Sequence, residues 1–135
     1  MSEMTDPDPS TRTDQASGAE HPALLEVRVS VPDAPTGRRI AHDLVARQLA
    51  ACVQVMGPIT SVYSWKGEVE QEDEWLLLIK STEDAFAELA ATVRGVHRYD
   101  VPEIIAVPVT HALAEYADWV RRRSDGITDD ELLEP

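Results

Sequence analysis

Cysteine is nearly absent from this sequence, because Cys52 is the only one among its 135 residues. No disulfide can form within one chain, which fits a reducing compartment. Long apolar stretches are missing too: the longest strongly apolar run, residues 75–79, has five residues, whereas a membrane-spanning helix needs about 20. Residues 1–22 lack the apolar stretch of a secretory signal. We therefore expect a cytoplasmic protein that does not enter a membrane.

Positive charge is scarce, since 12 Lys and Arg residues face 25 Asp and Glu residues, giving a net charge of −13. Most of the excess lies in residues 1–22 and 124–135, and the first of these segments holds little to bury. We expect residues 1–22 to be a disordered acidic tail, 23–123 to be the folded domain, and 124–135 to be an acidic C-terminal tail. No basic stripe is present, so we expect neither nucleic acid nor an anionic membrane as a partner.

Sequence motifs for catalysis are also missing. The chain contains no GxGxxG, Walker loop, HExxH, CxxC or G-x-S-x-G. Acidic residues are plentiful, but nothing in the sequence distinguishes one pair as an acid and a base. We therefore predict that the protein is not an enzyme.

Apolar periodicity predicts an α+β fold. The order is strand, helix, strand, strand, helix, strand and a last helix, which is the ferredoxin-like βαββαβ arrangement with one C-terminal helix. Asp33 is predicted to cap the first helix, whose apolar face runs from Ile40 to Leu49. The second helix is predicted to begin with a capping box at Ser81 and to end at Gly95. The last is predicted to be capped by Thr110 and to pack through Leu113, Tyr116, Ala117 and Val120.

The stretch from Leu49 to Lys80 reads as one long β-hairpin. Lys66-Gly67 suits the turn, Gly57-Pro58 predicts a bulge, and the run 75–79 predicts a strand buried on both faces. Each arm has about 13 residues, or roughly 40 Å at about 3.3 Å per residue, which exceeds a compact domain of this size. The hairpin therefore either bends back within the chain or projects. A projecting hairpin with Tyr63 and Trp65 near its tip would need another subunit to cover it.

Candidate binding residues fall mainly in one loop. His97, Tyr99 and Glu103 lie together there, and imidazole with carboxylate can bind copper, zinc or another divalent metal ion. The same residues could instead form hydrogen bonds that fix an interface loop. Cys52 could be a soft metal ligand or a packed apolar residue. Lys80 could bind an anion beside the following helix. The carboxylates of Glu68, Glu70 and Glu72 share one strand face, which could attract hard cations weakly or simply be solvated.

Several segments of the sequence resemble one known family. These are PDAPTGRRIAHDLVARQLAACVQV, ITSVYSWKGEVE, EWLLLIKST, HRYDVPEIIAVPV and EYADWV, in the order and spacing of the CutA family of divalent-cation-tolerance proteins. The resemblance covers about residues 24–122. It implies a ferredoxin-like homotrimer whose hairpins pair between subunits, a bacterial cytoplasmic setting and a link to copper and other divalent metals.

One part of the family pattern is not kept. Some members carry a cysteine in the first strand and a His-His pair before Pro-Tyr, and these residues were assigned as copper ligands. This chain has Val29 in the strand, and Val96, His97 and Arg98 in the loop. Only His97 therefore matches that ligand set.

These observations lead to one main function hypothesis and two alternatives. The main one is a trimeric, non-catalytic protein of divalent-metal tolerance that binds metal weakly at clefts between subunits. Its metal ligands would be His97 and Glu103. The residues expected at the interface or cleft are Tyr63, Trp65, Lys80 and Tyr99. The first alternative is a PII-like trimeric signalling module that binds a small anionic metabolite, an analogy of fold only. The second is a trimeric scaffold for a partner protein.

Overall fold

The structure, a computed structural model, describes residues 21–126. The two predicted tails lie almost wholly outside this range. Seven elements follow one another: β1 (Leu24–Val31), α1 (Ala34–Ala46), β2 (Cys52–Trp65), β3 (Glu68–Thr82), α2 (Phe86–Val96), β4 (Ile104–Pro108) and α3 (Ala114–Arg122).

The strands form one antiparallel sheet in the order β2-β3-β1-β4. This order and the two β-α-β halves confirm the predicted α+β, ferredoxin-like fold. Pro108 ends β4 at an edge of the sheet, where its missing N–H costs no ladder hydrogen bond.

The helix α1 begins where the sequence predicts. The Asp33 carboxylate accepts a hydrogen bond from the Thr36 N–H at 2.8 Å and so caps the helix. Ile40 and Leu44 are buried against the sheet. The predicted apolar face was too long, because Val45 is exposed and α1 ends at Ala46, although Leu49 is buried in the connection that follows.

The main core lies between the sheet and the helices α1 and α2. Its fully buried side chains come from β1, β3 and both helices: Val27, Val29, Val31, Leu44, Leu77, Ile79, Leu89 and Val93. Leu76 and Leu78 point to the other side of the sheet and are only partly buried. The prediction that this run is buried on both faces is therefore wrong for a single chain, since helices cover only one face along most of its length.

We call that second side of the sheet the open face. It carries apolar side chains from β2, β3 and β4 and a charged row from β1: Met56, Leu76, Leu78, Ile105, Val107, Glu26 and Arg28. The helix α3 covers only one end of it, where Ala117 and Val120 pack against Leu24 and Ala51. Leu113 remains 71% exposed, so the predicted packing of α3 holds for only half of its apolar face.

Three predicted helix boundaries are wrong. Ser81 lies in β3 and donates a hydrogen bond to the Leu49 carbonyl, while the Thr82 hydroxyl accepts one from the Ala85 N–H in the turn before α2. Gly95 lies inside α2, which runs on to Val96. Thr110 lies before α3, whose first residue follows Leu113 without a side-chain cap. For Ser81, the hydrogen bond to Leu49, 32 residues away in sequence, replaces the capping role that the local pattern predicts.

The hairpin of β2 and β3 has the predicted turn and break. Lys66 and Gly67 take positive φ angles of 52° and 82°, as a two-residue turn between twisted strands requires. The pairing register shifts between Met56 and Ile59. Gly57 is needed at this bulge, because a Cβ there would lie 2.7 Å from the Trp75 ring.

Candidate functional site

The part of the hairpin beyond the bulge presents aromatic side chains to solvent. Tyr63 and Trp65 lie opposite Glu70 and Glu68 in the register, and they are 38% and 59% exposed. Partial burial, together with the hydrogen bond and charge of Glu72, raises the pKa of the Tyr63 hydroxyl. Within residues 21–126 nothing covers this face, so an interface role for both rings stays a prediction.

Tyr99 ties the loop after α2 to Glu74 of β3. Glu74 lies opposite Ile59, just beyond the bulge, and we call this level the base of the hairpin. The Tyr99 hydroxyl donates a 2.6 Å hydrogen bond to Oε2 of Glu74, which is a buried carboxylate of β3. Burial, followed by this carboxylate, raises the pKa of Tyr99 far above its usual value. The phenol is therefore a neutral donor at every physiological pH. This contact fixes the loop against the strand that carries the acidic residues.

His97 is buried and uses both ring nitrogens within the chain. Its Nδ1 accepts the Tyr99 N–H at 3.1 Å, and its Nε2 lies 2.7 Å from the Ser30 carbonyl. Because a backbone N–H can only donate, Nδ1 carries no proton, so Nε2 carries it and donates to Ser30. The imidazole is neutral and oriented by two elements. A metal ion at His97 would have to replace one of these hydrogen bonds.

Glu103 approaches His97 through Ser30. The Ser30 hydroxyl lies 3.5 Å from Oε1 of Glu103, while the Ser30 carbonyl is the partner of His97. The structure therefore brings the two predicted metal ligands to the two polar groups of one residue. Glu103 is exposed, and within residues 21–126 its carboxylate makes this one long contact, so it is open to a cation from solvent.

Cys52 and Lys80 lie away from this loop, opposite each other in the pairing of β2 and β3. Lys80 donates a 2.6 Å hydrogen bond to Glu26, which also accepts two from Arg28. Lys80, and then Arg28, hold the pKa of Glu26 below its usual value. Along β3, Lys80 is four residues from Leu76, the partner of Ser30, or roughly 13 Å. Cys52 therefore does not join His97 and Glu103 in one chain.

Within residues 21–126, no three His, Cys, Asp or Glu side chains lie close enough together to hold a metal ion. His97 and Glu103 supply at most two ligands. Two protein ligands rarely hold a metal tightly, so a tighter site would take a further ligand from outside the described residues.

Two residues of this region were not predicted from the sequence. Ser30 has no distinguishing pattern, because it occupies a strand position where its carbonyl, not its side chain, contacts His97. Glu74 follows Glu68, Glu70 and Glu72 at the same spacing of two, so it belongs on their face. The spacing could therefore have predicted the strand face of Glu74, but only the fold shows that the Tyr99 hydroxyl reaches its carboxylate.

Comparison with known proteins identifies the family. Residues 25–123 match the family described as CutA1 divalent ion tolerance protein. The chain belongs to the CutA1 family. It is 44% identical over 98 residues to the divalent-cation tolerance protein CutA of Thermus thermophilus, covering 73% of this chain and 95% of the relative. It is 36% identical over 121 residues to human protein CutA, covering 90% of this chain and 68% of the human protein.

Solved CutA1 structures have the same fold. That of the Thermus thermophilus protein superimposes with a TM-score of 0.74 at 42% identity, covering 75% of this chain and 98% of the other. That of CutA1 from Shewanella sp. SIB1 gives 0.75 at 34% identity, covering 77% and 97%. These relatives are named for divalent-cation tolerance or as CutA1, and neither name states a reaction.

The family positions that differ in this chain have ordinary structural roles. Val29 is fully buried in the main core. Val96 is exposed at the last turn of α2, and Arg98 forms an ion pair with Asp33 at 3.4 Å. Of the expected ligand set, His97 alone is present, and it is already bonded on both sides.

Proposed function

We propose that this chain is a non-catalytic protein of divalent-cation tolerance that works as a homotrimer assembled through its hairpin. The observation that carries the proposal is the uncovered hairpin beyond Gly57-Pro58, with Trp65 59% exposed. Aromatic residues at interfaces bury about 150–250 Å² each. Solvent is a poor environment for such a face, so another subunit is its natural cover.

The open face of the sheet supports the same proposal. Leu76 and Leu78 are only half-buried, and Met56 and Ile105 are each 48% exposed. Met56, Leu76 and Leu78 form an apolar surface on β2 and β3 that continues towards the hairpin, and Arg28 of β1 separates it from Ile105 on β4. Obligate interfaces resemble a domain core, and this surface has that character.

Metal binding, in this proposal, is weak and centred on Glu103. Its exposed carboxylate can take a divalent ion, copper included, without losing a strong bond. His97 can join only if it gives up Tyr99 or Ser30. Isothermal titration with Cu²⁺ and Zn²⁺ tests this: the wild type should bind more tightly than the His97→Ala, Glu103→Ala double variant. Equal affinity would exclude these two ligands.

Light scattering tests assembly separately from metal binding. The wild-type chain at micromolar concentration should have the mass of three subunits, and a monomeric mass would refute the trimer. Titration with metal in the same instrument shows whether assembly depends on the ion.

The geometry does not favour the PII-like alternative. An anionic metabolite needs cationic partners, but Lys80 is paired with Glu26 and Arg98 with Asp33. The residues that approach the loop on β3 are carboxylates. A thermal-shift screen with nucleotides and organic acids should therefore show no stabilisation, and a clear shift would favour the signalling role.

The compartment stays a prediction. No helix among residues 21–126 has the length and apolar character to cross a membrane. One relative, from Arabidopsis thaliana, is named as chloroplastic, and a structure from Archaeoglobus fulgidus is titled as periplasmic. We propose the cytoplasm for this chain, on its single cysteine alone.

A further inference from the structure

A cavity of about 200 Å³ lies where the start of α2 meets the end of α3, beside the end of β3 that is opposite the hairpin turn. We propose that it binds a small organic cation that carries N–H donors, such as an alkylammonium. Its walls come from the chain before β1, the connection after α1, the start of α2 and the end of α3: Pro22, Leu49, Thr82, Asp84, Ala85, Glu88, Arg121, Ser124, Asp125 and Gly126.

The charges around the cavity favour a cation. Asp84 and Glu88 contribute exposed carboxylates, Asp125 also lines the wall, and Arg121 contributes a guanidinium. That guanidinium is already engaged, since its Nε donates to the Pro22 carbonyl at 3.0 Å and its Nη1 lies 3.4 Å from Asp118. The positive end of the α2 dipole and the negative end of the α3 dipole both meet here and offset each other. The charged side chains therefore determine the sign of the electrostatic potential in the cavity.

Buried oxygens beside the cavity lack hydrogen-bond partners. Ser124 lines the wall and is 3% exposed, yet its hydroxyl has no partner within the described residues. Gln48 is also buried, and its Oε1 is unpaired there as well. The Gly126 N–H donates to the Gln48 carbonyl at 2.9 Å, so the two residues are joined. Buried polar groups without partners are uncommon in folded proteins. Of these two only Ser124 lines the cavity, and an N–H group of a ligand there could donate to its hydroxyl oxygen.

Backbone strain falls at the same place. Gln48 has a φ of 59°, a left-handed conformation that costs a residue with a side chain more than it costs glycine. Strained residues persist where their surroundings hold them, and they cluster at binding sites. Gln48 accepts the hydrogen bond of Gly126, and Gly126 lines the cavity.

A bare metal ion does not fit this arrangement. No group of three His, Cys, Asp or Glu in the described part of the chain is close enough to coordinate one, and that includes the three carboxylates here. The cavity is also larger than one ion needs. An organic cation can instead reach separate carboxylates and oxygens with different N–H groups, over the apolar floor of Leu49 and Ala85.

The test uses the full chain, with 1,4-diaminobutane as the probe and 1,4-butanediol as its neutral counterpart. Amide chemical shifts in a ¹H–¹⁵N spectrum should move saturably with the diamine at residues 82–88 and 121–126, and the diol should leave them unchanged. Asp84→Asn and Glu88→Gln should each weaken binding about tenfold, the loss that about 1.4 kcal/mol would give. Both side chains are exposed, so the variants should fold.

Glu83→Gln is the matched control, because Glu83 is an exposed neighbour that does not line the cavity; its affinity should equal that of the wild type. Ser124→Ala should weaken the diamine without lowering the melting temperature of the free protein, since it removes a hydroxyl without a partner. The absence of saturable shifts at millimolar diamine would overturn the proposal. So would equal shifts with the diol, wild-type affinity in Glu88→Gln, or displacement of the diamine by equimolar Mg²⁺.

Discussion

Removing the Trp65 ring distinguishes a free hairpin from one that is covered by another subunit. In one chain Trp65 is 59% exposed, so Trp65→Ala would cost an isolated monomer little. If a second subunit covers the exposed part, that part amounts to about 90–150 Å² of the roughly 150–250 Å² that an aromatic residue can bury. At about 25 cal/mol per Å², the loss is about 2–4 kcal/mol for each subunit. The variant should therefore dissociate at concentrations where the wild type is assembled.

Sedimentation velocity over a concentration series measures this effect, and thermal melts at the same concentrations give a second readout. The variant should show a smaller mass and a melting temperature that rises with concentration. Tyr116→Ala is the control, since Tyr116 is an aromatic residue on α3 that is 39% exposed, and its loss should leave the mass unchanged. A wild-type monomer, or an assembled Trp65→Ala variant with the wild-type melting temperature, would refute the reasoning.

Three further substitutions test contacts within the chain by chemical denaturation. Tyr99→Phe should lower the free energy of unfolding by about 1.5–3 kcal/mol, because Glu74 loses the donor to a charged, buried oxygen; no loss would contradict the contact. Gly57→Ala should destabilise by about 1–3 kcal/mol through overlap with the indole beneath it, while Gly95→Ala, which meets nothing within 4 Å, should stabilise its helix by about 0.5–1 kcal/mol. Glu26→Gln should destabilise at neutral pH. The folded-state pKa of Glu26 lies below the unfolded value of 4.5. The difference in unfolding free energy between the wild type and the variant should therefore persist above pH 4.5 and vanish as the pH falls through the folded-state pKa. A difference that stayed constant down to about pH 2 would show that the charge of Glu26 is not its cause.

Much of the fold could be predicted from the sequence, because the signals involved are local. The alternation in residues 24–31 specifies β1, and the spacing of Leu89 and Val93 specifies the buried face of α2. Asp33 and the Lys66-Gly67 pair act through their own neighbouring backbone, so cap and turn follow from residue type. The open face could not be predicted in this way. A run apolar on both sides reads as doubly buried, whereas the chain itself supplies helices for only one side.

The contacts of the candidate site join elements that are far apart in the chain. Tyr99 reaches Glu74 across 25 residues, and His97 reaches Ser30 across 67. Composition could identify His97 and Glu103 as candidates, but not their partners. The same limit applies to Ser81, whose spacing to Asp84 suits a capping box although its hydroxyl bonds to Leu49 across the sheet connection. The residue types alone allow Ser81 either to cap a helix or to bond to a distant carbonyl, and the tertiary fold determines that it bonds to Leu49.

The hydrogen bonds of His97 also determine how a cation could act on this region. Coordination through Nδ1 would remove the acceptor of the Tyr99 N–H, and coordination through Nε2 would free the Ser30 carbonyl. Either loss costs about 1 kcal/mol or more, because the groups are buried. Binding a cation at Glu103 breaks no strong hydrogen bond, so a cation should bind the Glu103 carboxylate first. A cation strong enough to recruit His97 as well would loosen the loop that Tyr99 ties to Glu74. Since Glu74 lies at the base of the hairpin, metal binding at His97 would then be coupled to the surface on which we propose that the subunits assemble.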